Sequence, residues 1–196
     1  MKPTVILYNP YAVFYTMPLA LLAVGSYLDS EKYNVIIIDG RLEKNPIEKI
    51  KELKSQNIIC FATTVLTGNP IKDALKLSRE VKKEMPDVPV IWGGWHPSLF
   101  PKHTLDETSI DVVVKGQGEI TFNELMDCFV SKKSIENIKG ICYKNQGTYV
   151  ENPERIMEDI NSFPEINYDL IDVSAYMTLG GRKQLDYISS QGCRFR

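Results

Sequence analysis

The chain has 196 residues, 43% of them hydrophobic and 24% charged, with a net charge of −2. That balance is ordinary for a soluble globular protein and gives no basic face for nucleic acid or an anionic membrane. The longest apolar stretch, Leu19 to Val24, falls far short of the roughly 20 residues that span a bilayer, and the four scattered cysteines do not suggest a disulfide framework, so a reducing, cytoplasmic setting is expected.

In chain order, short β-branched runs alternate with helical patterns. Met1-Lys2-Pro3-Thr4 enters the first run directly, with no signal peptide. Val5-Ile6-Leu7-Tyr8 reads as a strand, and Pro18 to Ser30 as a helix. Val35-Ile36-Ile37-Ile38 is the second strand. Asn45-Pro46-Ile47-Glu48 then carries helix-start chemistry: an N-cap Asn, a Pro at the first helical position, and a Glu placed to close a capping box. Ile58-Ile59-Cys60-Phe61-Ala62 is the third strand. After Asn69-Pro70, the positions Ile71, Leu75, Ser78, Val81 and Met85 follow helical spacing up to Pro86. Val88 to Trp92 is the fourth strand, and Asp111 to Val114 the fifth. Gly118-Glu119 opens a helix whose buried side is expected to carry Ile120, Leu125, Met126 and Phe129.

Continuous apolar strands separated by helices imply a parallel sheet covered on both faces. The expected fold is therefore α/β: a doubly wound, five-stranded, flavodoxin-like or Rossmann-like sheet of order 2-1-3-4-5. Beyond residue 135 the pattern changes. Lys139 to Lys144 and Thr148 to Glu151 flank Asn145-Gln146-Gly147 as a β-hairpin. Residues 152 to 183 read as a linker that packs on a surface, because Phe163, Ile166, Tyr168, Leu170 and Ile171 would not stay in water. The chain thus divides into an α/β domain (1–135), a hairpin and linker (136–183), and a C-terminal start of something further (184–196).

Ligands of doubly wound sheets sit at the carboxyl ends of the strands, so the loops there hold the candidate site. The first, Asn9 to Pro18, is long, apolar and aromatic, with Pro10, Tyr11, Phe14, Tyr15 and Met17. It has no glycine, which excludes a phosphate-cradling loop. It is either a loop folded on its own core or a greasy platform under a flat cofactor. The second is Thr63-Thr64-Val65-Leu66-Thr67-Gly68, which offers either helix-capping chemistry or hydroxyls for a polar ligand tail. The third is Gly93-Gly94-Trp95-His96-Pro97, where the glycines supply a turn or let something come close. The fourth, Lys115-Gly116-Gln117-Gly118-Glu119, is a glycine-rich helix start. His96 and His103 are the only histidines. No metal-ligand spacing occurs within residues 1 to 192, and no Ser or Cys nucleophile has an evident base. This front region reads as a binder. At the other end, Tyr187-Ile188-Ser189-Ser190 precedes Gln191-Gly192-Cys193, and a cysteine after a strand-like run and a glycine is how an iron–sulfur loop of C-x3-C-x2-C type begins. Its second cysteine would fall beyond Arg196.

Together these segments resemble the N-terminal cobalamin-binding domain of cobalamin-dependent radical S-adenosylmethionine enzymes. Tyr8-Asn9-Pro10 with Met17 to Ala23, Gly93-Gly94-Trp95-His96-Pro97-Ser98, Asp111 to Glu119, Tyr168 to Asp172 and Gly192 to Arg196 are each similar to a family segment, in the family's order. The resemblance implies cobalamin as cofactor, with its nucleotide tail near Thr63, Thr64, Gly93 and Gly94. It implies that Tyr11, Phe14, Tyr15, Met17 and Trp95 pack on the corrin, and that Asn9, Pro10, Leu66, His96, Gly116, Gln117, Gly118 and Glu119 complete the binding region. Thr64-Val65-Leu66 matches the wider fold's Ser-x-Leu element with Thr for Ser. Its Asp-x-His-x-x-Gly element is absent: Tyr11 stands where the cobalt-ligating histidine would be, so no histidine of that loop is expected to ligate cobalt. Radical enzymes of this family commonly lack that histidine as well.

By the same resemblance, Cys193 is the first ligand of an incomplete 4Fe-4S site in a radical domain that lies beyond this chain. The parent enzyme would also use S-adenosylmethionine and act on an unknown small-molecule substrate, with methyl transfer the family's usual chemistry. Nucleic acid and membrane are not expected partners, and the fragment alone is expected to bind cofactor without catalysis. An alternative is a domain of the same ancestry that has lost the corrin and serves as a docking module. A receiver-type domain is disfavoured, since Thr63 to Gly68 holds no phosphorylatable aspartate.

Overall fold

Thr4 to Asn9 is apolar on both faces, and it forms β1 (Thr4–Asn9), nearly fully buried between two neighbours. The structure, a computed structural model, describes residues 1–13, 16–181 and 183–192. β2 (Asn34–Asp39), β3 (Ile58–Thr64), β4 (Val90–Gly93) and β5 (Val112–Val114) pair with β1 in the parallel order 2-1-3-4-5. The sheet does not stop there. β6 (Ile141–Asn145) pairs antiparallel with β5, and β7 (Thr148–Glu151) pairs antiparallel with β6. The expected five strands are thus seven in one mixed sheet of order 2-1-3-4-5-6-7. The hairpin turn follows from Gln146 (φ 49°) and Gly147 (φ 80°), both left-handed, as a two-residue connection between right-twisting strands requires.

Helices cover both faces. On one face, α1 (Leu19–Tyr27) and α6 (Glu119–Ser131) pack Leu21, Phe122, Leu125 and Met126 against Val5, Leu7, Cys60, Ala62 and Ile91. On the other, α2 (Pro46–Glu52) and α3 (Asn69–Glu84) pack Ile50, Ala74, Leu77 and Val81 against Ile6, Tyr8, Phe61 and Trp92. Each such fully buried side chain contributes about 1.5–3 kcal/mol. Period-2 alternation along β3 therefore sends Cys60 and Ala62 to the α1/α6 face, and Phe61 to the α2/α3 face.

Several local readings are corrected. Glu48 closes no capping box: no side chain caps α2, the Asn45 N–H is taken by Glu43 (3.0 Å), and Glu48 pairs with Lys51. β4 begins at Val90 rather than Val88, because Pro89 has no N–H for the ladder. Asp111 stands outside β5; its carboxylate accepts from the Val90 N–H at 2.6 Å and pairs with Lys82 at 2.7 Å. On α6 the buried apolar residues are Phe122, Leu125 and Met126, while Ile120 and Phe129 are only half-buried. The segment after Gly93-Gly94 is helical: α4 (Trp95–Leu99) is followed by α5 (Pro101–Leu105).

The linker packs on the body of the protein. Leu170 lies against Gly25 of α1, and Phe163 meets Tyr27 edge-on with ring centroids 5.3 Å apart. α7 (Val173–Gly180) is capped by Asp172 and buries Tyr176 at the tip of β2.

Candidate functional site

β1, β3, β4 and β5 all end on the same side, and there the sheet and helices α1 and α6 diverge. The wedge between them is a cleft of about 140 Å³ that opens to solvent at its mouth. Its floor is Leu7, Ala62, Ile91 and Val114; one wall is Ala20, Leu21 and Val24 of α1, and the other is Gly118, Glu119 and Phe122 of α6. The lining contains no cysteine, histidine or lysine. Such a slot can hold a flat, mostly apolar group; the one ionisable side chain lining it among the described residues is Glu119.

Glycines make the room. A Cβ on Gly93 would meet only the Val114 carbonyl oxygen, at 3.7 Å, and one on Gly118 would meet Val24 and Val114 at 3.5 and 3.7 Å. Both would make ordinary van der Waals contacts beside the cleft, without a clash. Gly94 has a different cause: its φ is 93°, and a Cβ would lie 2.8 Å from Thr64 Oγ1 and 2.9 Å from the Val65 nitrogen. The turn after β4 closes on the turn after β3 there, tied by Val65 N–H to Gly93 O (2.8 Å) and His96 N–H to Val65 O (3.0 Å).

Of the residues singled out in the sequence, Thr63, Thr64, Gly93, Gly94, Gly116, Gln117, Gly118 and Glu119 border this one cleft. Thr63 does so from within the strand only. Alternation puts its side chain with Phe61 and Val65 on the α2/α3 face, so its hydroxyl faces away from the cleft, contrary to expectation. That hydroxyl is enclosed without a hydrogen-bond partner. Thr64, on the face of Ala62, is the hydroxyl the cleft receives.

The others stand apart from the cleft. Tyr11 (56% exposed), Leu66 (41%) and Trp95 (71%) follow the tips of β1, β3 and β4 with their side chains in solvent. The Tyr11 N–H is held by Asp73 (2.8 Å), whose same oxygen accepts from the Tyr8 hydroxyl (2.6 Å). Asn9 donates to Asp39 (2.8 Å), Pro10 is buried, and Met17 is buried with its N–H given to Asp186 (2.8 Å). His96 shares a hydrogen bond with Thr67 (3.3 Å) and stacks near Phe100; partial burial, with His103 nearby, holds its pKa below the usual histidine value. Phe14, Tyr15 and Cys193 lie outside the described residues. Among the described residues no group of His, Cys, Asp and Glu is placed to hold a metal ion, and no helix is long and apolar enough to cross a membrane.

Sequence reading missed the α1 wall and the return of the C-terminal segment. The uniform apolarity of Leu19 to Val24 was a signal for the first: a helix apolar all round has a face left over after it has covered the sheet. Nothing local signals the second. Gln191 borders the cleft, accepting from Gln117 Nε2 (3.0 Å), and Gln117 also clamps the Glu158 backbone through both its N–H and its C=O.

A family model for the B12 binding domain matches residues 9–126. An uncharacterised methyltransferase of Pyrococcus horikoshii is 31% identical over 180 residues, covering 91% of this chain and 39% of its own length. The anaerobic magnesium-protoporphyrin IX monomethyl ester cyclase of Synechocystis is 22% identical over 182 residues, covering 90% of this chain and 36% of its own length. This chain thus spans about two fifths or less of these relatives. Among solved structures, the cobalamin-dependent S-adenosylmethionine radical enzyme OxsB, with aqua-cobalamin and S-adenosylmethionine bound, superimposes with a TM-score of 0.76 at 20% identity over 91% of this chain and 25% of its own. The radical S-adenosylmethionine methyltransferase TsrM from Kitasatospora setae, with cobalamin and a 4Fe-4S cluster bound, gives a TM-score of 0.70 at 21% identity, over 81% of this chain and 30% of its own. At these identities the two structures show a shared fold.

Proposed function

Because this chain belongs to the B12-binding domain family, we propose that it is the corrinoid-holding module of a larger radical S-adenosylmethionine enzyme of methyltransferase type. The observation that carries the reading is the cleft at the strand tips, whose glycines Gly93 and Gly118 leave free the space a side chain would fill. Family membership and the overall likeness to OxsB and TsrM support the same reading.

In this reading the base and sugar of the cofactor's nucleotide arm enter between the sheet and α1/α6. Leu7, Ala62, Ile91 and Phe122 bury the flat base, and Thr64 with the backbone at Gly93, Gly94 and Gly116 meets the polar atoms at the rim. Tyr11, Leu66 and Trp95, exposed after the strand tips, would shield the corrin ring. Covering those side chains removes their area from water, at about 25 cal/mol per Å². A bound cobalamin supplies a cobalt-held methyl group for transfer. The chain's own residues hold, orient and shield it. Neither β1's loop nor the described cleft lining carries a histidine, so no histidine from there would hold the cobalt. Cys193 would begin the cluster loop of the following domain, in which S-adenosylmethionine is cleaved and the small-molecule substrate is methylated.

The test is direct. Hydroxocobalamin is added to the purified chain, the mixture is desalted, and the visible spectrum is recorded. Retained corrin bands with a base-off profile are expected. A colourless protein refutes the reading and leaves a corrin-free docking module.

A further inference from the structure

Glu119 is 5% exposed and borders the cleft, yet among the described residues it has no hydrogen-bond or ion-pair partner. Its oxygens are not sealed off, since the enclosed and unpartnered side-chain atom among the described residues is Thr63 Oγ1; the carboxylate opens on the cleft. Its place in the first turn of α6 favours a negative charge there. The nearest side-chain amide gives it no donor. Gln117 Nε2 already donates to the Glu158 carbonyl (3.1 Å) and to Gln191 (3.0 Å). The other cleft side chains around it, Leu21, Val24, Val114 and Phe122, have no donor to give.

We infer that Glu119 accepts a hydrogen bond from an O–H or N–H of the nucleoside in the corrinoid's lower arm, and so selects corrinoids that carry a complete nucleotide. The inference rests on the reading that this cleft receives that arm. The charge decides which part of the arm goes deep. A phosphodiester beside a buried carboxylate would be repelled by a like charge in a poorly screened site, so the phosphate stays at the mouth while the neutral sugar and base enter. Thr64 and the mouth's access to water serve the phosphate better than the α6 wall does. Glu119 is thus a specificity residue and takes no part in the chemistry.

The test compares two probes on the same protein: hydroxocobalamin, and diaquacobinamide, which has the same corrin ring but lacks phosphate, ribose and benzimidazole. Affinities are read by absorbance titration. The native chain should bind cobalamin more tightly than cobinamide. Glu119→Leu should weaken cobalamin about tenfold or more and leave cobinamide unchanged, which also reports that the variant is folded. Glu119→Gln, which keeps the shape and one acceptor oxygen, should recover most of the cobalamin affinity. Equal loss for both corrinoids, in the Leu and the Gln variant alike, would make Glu119 a structural residue and overturn the inference. So would no loss for either. Native protein that retains neither corrinoid would refute the binding reading itself, a different result from the other two.

Discussion

The Tyr176 hydroxyl, on α7, donates to Asp39 Oδ2 at the tip of β2, 2.8 Å away and 137 residues apart in sequence. Asp39 also accepts from Asn9 at the tip of β1 (2.8 Å) and pairs with Arg41 (2.7 Å), and both charged side chains are almost fully enclosed. The Arg41 guanidinium also sits over the Tyr176 ring, 5.6 Å from its centroid. This network fastens the linker to the end of the sheet where the cleft opens.

Tyr176→Phe should lower stability by about 1–2 kcal/mol, the value of a hydrogen bond to a charged group. The thermal midpoint should fall by about 2–6 °C. Cofactor retention should be unaffected, because the cleft lies on the other side of β1. Calorimetry with and without hydroxocobalamin checks both statements.

Burial works to raise the Asp39 pKa, but hydrogen bonds and charge from Arg41 outweigh it and hold the carboxyl below the usual aspartate value. The folded pKa is therefore below the unfolded one. The stabilisation is fully present above the unfolded value of about 4 and is lost as pH falls through the folded pKa. Asp39→Asn removes the carboxylate that pairs with Arg41 in a buried site and should cost about 3–5 kcal/mol at pH 7. The gap between variant and native protein should narrow as pH drops below about 4, where the unfolded chain's aspartate takes up its proton, and be lost once pH passes the lower folded pKa. Denaturation curves at pH 7, 4 and 3 measure it.

The two adjacent glycines should fail differently. Gly94→Ala forces a side chain onto a φ of 93° and against Thr64 and Val65, so a loss of about 2 kcal/mol or more is expected. Gly93→Val has free space before it and should fold with little change in midpoint, yet it should block the cleft and abolish retention of hydroxocobalamin. Midpoints and desalted spectra of the pair separate a structural glycine from a ligand-making one.

Thr63→Val should stabilise the chain by about 1 kcal/mol, because it removes a buried hydroxyl that has no partner, and the swap keeps nearly the same shape. Retention of hydroxocobalamin should not change, since the side chain faces the α2/α3 core. A fall in retention would show that this hydroxyl reaches the ligand.

Much of this was legible in the sequence because its causes are local. The βα alternation, the order of the five parallel strands and the positive-φ hairpin at Gln146-Gly147 follow from residue type, periodicity and chirality. The glycine-bearing loops after β3, β4 and β5 do converge on one cleft, as strand ends in a doubly wound sheet must. Boundaries slipped where a single residue overrode the pattern: Pro89 for want of an N–H, and Asp111 because its carboxylate bound the neighbouring strand.

The amino-acid order by itself determined which segments become strands and helices, and where along the chain a ligand loop can lie. Only the tertiary structure decided that the hairpin extends the same sheet, that Gln191 returns to the cleft and Tyr176 to Asp39, that Thr63 turns its hydroxyl away, and that Glu119 borders the cleft with no partner among the described residues. The reason is physical. Backbone propensity and period act over a few residues, whereas a side chain's facing and partner are set by strand register and by contacts between segments a hundred or more residues apart, which no local pattern encodes.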